Sequence, residues 1–188
     1  MKDRGTGDNI SEYGSTPRND GGAVQPRGPV TRWVVGVSDM KICHHRGGIL
    51  VTHALGSCVG IVLFDPEIGV GGMLHYMLPL SRLDQEKARK SPLMFGDTGI
   101  PMLFHESYKF GAVKERLRVI VAGGAQVFEQ RDFFDIGARN ITIARKMLWK
   151  NNVMIAAEHV GGHQPRTLYL DTATGETWLT TRGIRIDL

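Results

Sequence analysis

Cys58 lies in the run Leu55-Gly56-Ser57-Cys58-Val59-Gly60-Ile61-Val62-Leu63-Phe64, between small residues and a train of aliphatics. The thiolate is the reactive form of cysteine, and a free thiol with a pKa of about 8.5 is mostly protonated at neutral pH. Histidine can take that proton, form an ion pair, and later return the proton to a leaving amine. Further along the chain, His75 supplies such a group. Gly56 and Ser57 permit a sharp approach and expose backbone N–H groups that suit an oxyanion. The opposing reading is a small core residue packed near a histidine, because cysteine is among the residue types most often buried. Residue types alone leave both readings open.

The elements around the pair sharpen the question. Val59 to Phe64 and Val70 to Met77 flank Asp65-Pro66-Glu67-Ile68-Gly69, and Pro and Gly between two apolar runs mark a hairpin. A four-residue loop over Asp65 to Ile68 pairs Phe64 with Gly69. It then sets Cys58 directly opposite His75, on one face, with Cβ atoms about 5 Å apart. A loop one residue longer would move the partner to the other face. Further strands are expected at Trp33 to Val37, Ile49 to Thr52, Leu117 to Val121, Val153 to Ala157, Thr167 to Leu170 and Thr177 to Thr180. Lys41 to Gly48 reads as the connection between the first two. Asp97 can cap a helix through about Phe110 that Gly111 stops, and a second helix is expected over Gly137 to Lys150 after Asp135. Many short strands with two main helices suggest a layered α/β sandwich, not a βαβ repeat.

The totals suit a soluble globular protein: 188 residues, 41% hydrophobic and 22% charged. Residues 1–30 are rich in Gly, Ser, Asn, Asp and Pro and read as a disordered tail, followed by one domain over residues 31–188. In that tail Lys2, Arg4, Arg18 and Arg27 balance Asp3, Asp8, Glu12 and Asp20, so the net charge of +4 belongs to the folded part. No dense basic stripe suggests nucleic acid. No apolar stretch approaches the roughly 20 residues that span a bilayer, and the N-terminus lacks a signal-peptide core. The expected compartment is the cytoplasm, where Cys43 and Cys58 stay reduced.

Thr52-His53-Ala54-Leu55-Gly56-Ser57-Cys58-Val59, followed by Gly71-Gly72-Met73-Leu74-His75-Tyr76-Met77-Leu78-Pro79, resembles the signature of the CheD family of chemoreceptor glutamine deamidases. Ala122-Gly123-Gly124-Ala125-Gln126-Val127-Phe128 is similar to that family's Gly-Gly-Ala block. Ile136-Gly137-Ala138-Arg139-Asn140 resembles its Ile-Gly-x-Arg-Asn block, and Gly161-Gly162 with Arg166 and then Thr174-Gly175 resembles its C-terminal hairpin. Pro165 stands where the family usually has glycine. The resemblance implies an α+β fold, a layered α/β/β sandwich. It also implies hydrolysis of receptor glutamine side chains through a Cys58 thioester, with His75 as base and acid, Thr52 orienting the imidazole, and no cofactor. The implied partners are the cytoplasmic helices of methyl-accepting chemotaxis receptors. Family members also pair with the CheC phosphatase, so a regulatory binding module without catalysis is the second reading. A Cys–His amidase acting on some other substrate is a third.

Other groups carry less. Adjacent histidines in Cys43-His44-His45 point apart and make a poor zinc site. Gly69-Val70-Gly71-Gly72 and Ala122-Gly123-Gly124 lack phosphate-loop spacing and read as tight turns and close backbone approach. Gln126, Arg139 and Asn140 are candidates for substrate contact, with capping or internal hydrogen bonding as the competing role for the last two.

Overall fold

The computed structural model describes residues 31–44, 47–126 and 135–188. The expected tail over residues 1–30, His45, and the Val127-Phe128 end of the Gly-Gly-Ala block lie outside that set. In chain order the elements are β1 (Thr31–Val34), β2 (Asp39–Cys43), β3 (Gly48–Leu55), β4 (Val59–Asp65), β5 (Val70–Tyr76), α1 (Gln85–Lys90), α2 (Gly96–Lys109), β6 (Arg118–Gly123), α3 (Ile136–Lys150), β7 (Ile155–Val160), β8 (Arg166–Asp171), β9 (Thr177–Thr181) and β10 (Ile184–Asp187). They form two five-stranded sheets, ordered β1-β3-β8-β9-β10 and β2-β5-β4-β6-β7. Pairing is antiparallel except at β1–β3 and β6–β7.

β4 is the middle strand of its sheet, and every one of its residues is buried. Successive side chains point to opposite faces, so a strand covered on both sides must be apolar throughout. Val59, Ile61 and Leu63, with Leu74 and Tyr76 of β5, pack under Ile100, Leu103 and Phe104 of α2 and Ile141, Ala144 and Leu148 of α3. Val62, Phe64 and Met73 instead meet Leu50, Leu55, Leu168, Leu170 and Leu179 of the other sheet. The result is helices over a sheet over a sheet, the expected α/β/β sandwich.

Several sequence expectations need correction. β2 occupies part of the segment read as a connection, and β10 was not anticipated; both are short edge strands in which apolar residues alternate with charged ones. Helix α2 starts at Gly96, after Phe95, without a side-chain cap. Asp97 accepts hydrogen bonds from the Ser81 N–H and Oγ instead, both at 2.8 Å. Asp135 does cap α3, accepting from the Ala138 N–H at 2.9 Å.

The hairpin register is also different. Asp65 pairs with Val70 and Phe64 with Gly71, so the turn is Pro66 to Gly69 and β4 runs one residue further than the polarity of Asp65 suggests. Asp65 stays in the strand because Arg116 neutralises it. Arg116 Nε and Nη2 reach its carboxylate at 3.0 and 2.7 Å, and the N–H groups of Val113 and Glu67 donate to it at 3.1 Å each. Burial pushes this carboxyl up, but Arg116 and the two amides outweigh it and hold it below the usual carboxylate range. A carboxylate with a depressed folded pKa lends stability above its unfolded value, and that stability is lost as pH falls through the folded one. Asp65→Asn should therefore lower the thermal unfolding midpoint at pH 7. It should also shrink the drop in midpoint that the wild type shows below about pH 4, read by calorimetry across a pH series.

Candidate active site

A break in β3 shapes the site. Its pairing with β8 shifts between Thr52 and Leu55, and Ala54 takes φ 55°, so two residues are spent where a regular strand would use one. The bulge turns His53 and Ala54 outward while Thr52 and Leu55, an odd number apart, both stay fully buried. Leu55 then leads into Gly56-Ser57-Cys58, the short turn before β4.

Thr52 lies on one sheet and His75, on β5, lies on the other; both are inside the layer between them, 0% and 1% exposed. Thr52 Oγ1 lies 2.8 Å from the Val35 carbonyl oxygen and 2.7 Å from His75 Nδ1. A hydroxyl has one proton, and a carbonyl oxygen can only accept. Thr52 therefore donates to Val35 and accepts from His75, which puts the imidazole proton on Nδ1. His75 Nε2 is left with a free lone pair, buried and without a partner among the described residues.

Gly60 is the residue opposite His75. Cys58 is therefore diagonal to His75 rather than directly across, correcting the expected register by two residues. A shift of two preserves the face, and Cys58 packs with the apolar residues of the same inter-sheet layer. Such diagonal neighbours typically sit about 7–8 Å apart at Cα, somewhat less at Cβ. Because Gly60 has no side chain, nothing on β4 stands between them; a Cβ there would meet Leu55 and Leu168 at 3.0 and 3.1 Å.

Burial sets the resting charge of the pair. It pulls His75 down to about 4, so the imidazole is neutral at pH 7. It pushes the Cys58 thiol up, against a smaller opposing effect of the residue's own N–H. Burial thus favours the neutral thiol and the neutral imidazole.

Three carbonyls hold the Cys58 turn. The Ala125 N–H donates to Gly56 O and the Gly124 N–H to Cys58 O, both at 2.7 Å. Asn140 Nδ2 donates to Ser57 O at 2.9 Å and to Met77 O at 2.7 Å, so one buried amide ties the cysteine turn to the strand end that carries His75. Tyr76 Oη donates to the Asn140 carbonyl at 2.7 Å and fixes the start of α3 to β5. Gly137 makes this approach possible, since a Cβ there would lie 2.6 Å from Gly124 O. Asn140 thus takes the internal hydrogen-bonding role. The Gly56 N–H donates to Ala54 O at 2.8 Å, which leaves the Ser57 and Cys58 amides as candidates to hold an oxyanion. Gln126 is fixed through its backbone, N–H to Gly162 O at 2.8 Å and O facing His163 Nδ1 at 3.1 Å, with the residue itself exposed.

Val35 and the strut role of Asn140 were not legible as site features. Only the Ile-Gly-x-Arg-Asn block hinted at the second. Cys43 is a buried thiol with Thr172 Oγ1 at 3.7 Å, and His44 stacks on Phe110 at 4.6 Å. Among the described residues no group of three or more His, Cys, Asp and Glu side chains could hold a metal ion, and no helix is long and apolar enough to cross a membrane.

Fold and site together define an α/β/β sandwich with a Cys–His–Thr constellation at its inter-sheet layer. Residues 77–181 match the model of the family described as CheD chemotactic sensory transduction, an interval that begins just past His75. A protein of Syntrophus aciditrophicus named probable chemoreceptor glutamine deamidase CheD 1 is 49% identical over 150 residues, covering 80% of this chain and 94% of its own. A probable chemoreceptor glutamine deamidase CheD of Solibacter usitatus is 44% identical over 82% of this chain and 92% of its own. One of Pyrococcus abyssi is 41% identical over 76% and 86%. The chain belongs to the CheD family.

Two outcomes test this geometry. Thr52→Val keeps the shape but leaves the Val35 carbonyl and His75 Nδ1 without their partner in a buried layer. It should cost about 1–3 kcal/mol of stability in denaturant unfolding, and iodoacetamide should label Cys58 more slowly in the variant. The second outcome concerns pH. A histidine whose folded pKa is depressed from 6.5 to about 4 contributes on the order of 3 kcal/mol at pH 7, lost as pH falls from 6.5 towards 4. Wild-type stability should decline across that window, above the range where carboxylates titrate, and His75→Gln should flatten the decline.

Proposed function

We propose that this protein deamidates specific glutamine side chains in the cytoplasmic helices of chemotaxis receptors, through a thioester on Cys58. The observation that carries the chemistry is the Val35–Thr52–His75 chain of hydrogen bonds, which leaves His75 Nε2 as a lone pair in the layer that Cys58 borders. The substrate class is supported by the names of the relatives, each a probable chemoreceptor glutamine deamidase.

Cys58 Sγ attacks the carboxamide carbon as its proton passes to His75 Nε2, and the carbonyl becomes an oxyanion held by the Ser57 and Cys58 amides. The protonated imidazole keeps its Nδ1–H on Thr52, so the orienting bond serves both protonation states. When the intermediate collapses, the C–N bond breaks and His75 gives its proton to the departing nitrogen, which leaves as ammonia. A water then loses a proton to Nε2 and attacks the thioester, releasing glutamate and restoring the thiol. A single nitrogen, Nε2, thus serves as base toward the thiol and as acid toward the departing nitrogen. Thr52 holds the ring in one orientation.

The test is ammonia release and mass-spectrometric mapping on a purified receptor signalling domain with its native glutamines. Wild type should convert discrete helical glutamines to glutamate. Cys58→Ala, which removes only a half-buried sulfur, should keep its circular dichroism and lose at least about 10³-fold in rate. Equal conversion by both proteins would refute the mechanism. No conversion by a folded wild type would refute the deamidase reading and favour binding to a CheC-type phosphatase.

A further inference from the structure

Arg166 begins β8 at 4% exposure, and its guanidinium is turned onto backbone. Nη1 donates to the carbonyls of Gly123, at 3.3 Å, and His159; Nη2 donates to those of Gly161 and of Gln164, the latter at 3.2 Å. Nε is buried without a partner among the described residues. A buried cation held only by carbonyl dipoles, with one donor unsatisfied, is a poor device for stability alone. Its placement explains it better.

Two of the carbonyls Arg166 gathers, those of Gly123 and Gly161, belong to glycine turns, while His159 lies in β7 and Gln164 just before Arg166 itself. Gly123 and Gly124 end β6 at φ 112° and 66°; Gly161 and Gly162 follow β7 at φ 73° and 69°. All four lie in the left-handed region, where side chains are strained. The turns are laced to each other, Gly161 N–H to Gly123 O at 2.9 Å and Gln126 N–H to Gly162 O at 2.8 Å. The first turn bears the Gly124 and Ala125 amides that hold Cys58 O and Gly56 O. It lies so close that a Cβ on Gly123 would sit 2.3 Å from Cys58 O. Arg166 is also the β8 partner of Leu55, the residue at which the cysteine turn leaves β3.

We propose that Arg166 is a positioning residue for the Cys58 reaction: it clamps the two glycine turns and so fixes the turn that presents the sulfur. This rests on the deamidase reading above for its activity readout. The planar fork of arginine reaches carbonyls on two different turns at once, while the ammonium of lysine has three donors at a single point. Slack of about 1 Å in a nucleophile turn is enough to cost on the order of 100-fold in rate.

The experiment compares wild type, Arg166→Lys and Arg118→Lys. Arg118 is a half-buried control, bonding the Gly175 carbonyl, at 3.4 Å, and Leu188 O away from the cysteine turn. Each protein is measured well below its unfolding midpoint, with the folded fraction taken from circular dichroism. Readouts are kcat and KM for receptor-domain deamidation, and the iodoacetamide labelling rate of the Cys58 peptide, resolved from that of Cys43 by mass spectrometry. Arg166→Lys should lower kcat by about 10- to 100-fold with KM within about twofold, and slow labelling of Cys58. Arg118→Lys should leave both within about twofold of wild type, whatever stability it loses. An Arg166→Lys protein whose kcat falls only in proportion to its folded fraction, or whose Cys58 labels as fast as wild type or faster, overturns the clamp. If folded wild type converts no glutamine, the deamidase reading fails, and the labelling comparison still decides the clamp by itself.

Discussion

The single proton of the Thr52 hydroxyl decides the chemistry of the site. Because that proton goes to the Val35 carbonyl, the oxygen can only accept from His75, and the imidazole is held in one tautomer with its other nitrogen bare. The bond also joins the two sheets across a buried layer. The arrangement requires β1 to run into a segment whose carbonyl reaches Thr52, β3 to bulge just after it, and β5 to stand opposite at the right height.

The buried layer has two consequences. Burial favours the uncharged imidazole and the protonated thiol. It also makes the fold sensitive to acid before any carboxylate titrates.

Around this pair the backbone does the positioning. The turn bearing Cys58 has all three of its carbonyls captured, by the β6 glycine turn and by Asn140. Asn140 spans from that turn to the end of β5, so the spacing of Cys58 and His75 is set from α3 on the far side of the sheet. The glycines recur where backbone must approach backbone: Gly137 against Gly124 and Gly123 against the Cys58 carbonyl.

The sequence by itself determined much of this. The apolar run of β4, the hairpin after it, helix α3 with its Asp135 cap, and the family likeness of the Cys58 and His75 segments were all legible, because each depends on neighbours within one element. The face shared by Cys58 and His75 was legible too, since parity survives a register shift of two. Only the tertiary structure decided the register itself. Asp65 reads as a turn residue until Arg116, distant in sequence, neutralises it and lets β4 continue. It alone also decided the imidazole tautomer, the strut at Asn140 and the clamp at Arg166, for one physical reason. Each is a hydrogen bond to a backbone carbonyl, and carbonyls carry no residue identity, so no pattern of side chains can announce which of them a fold will bring within reach.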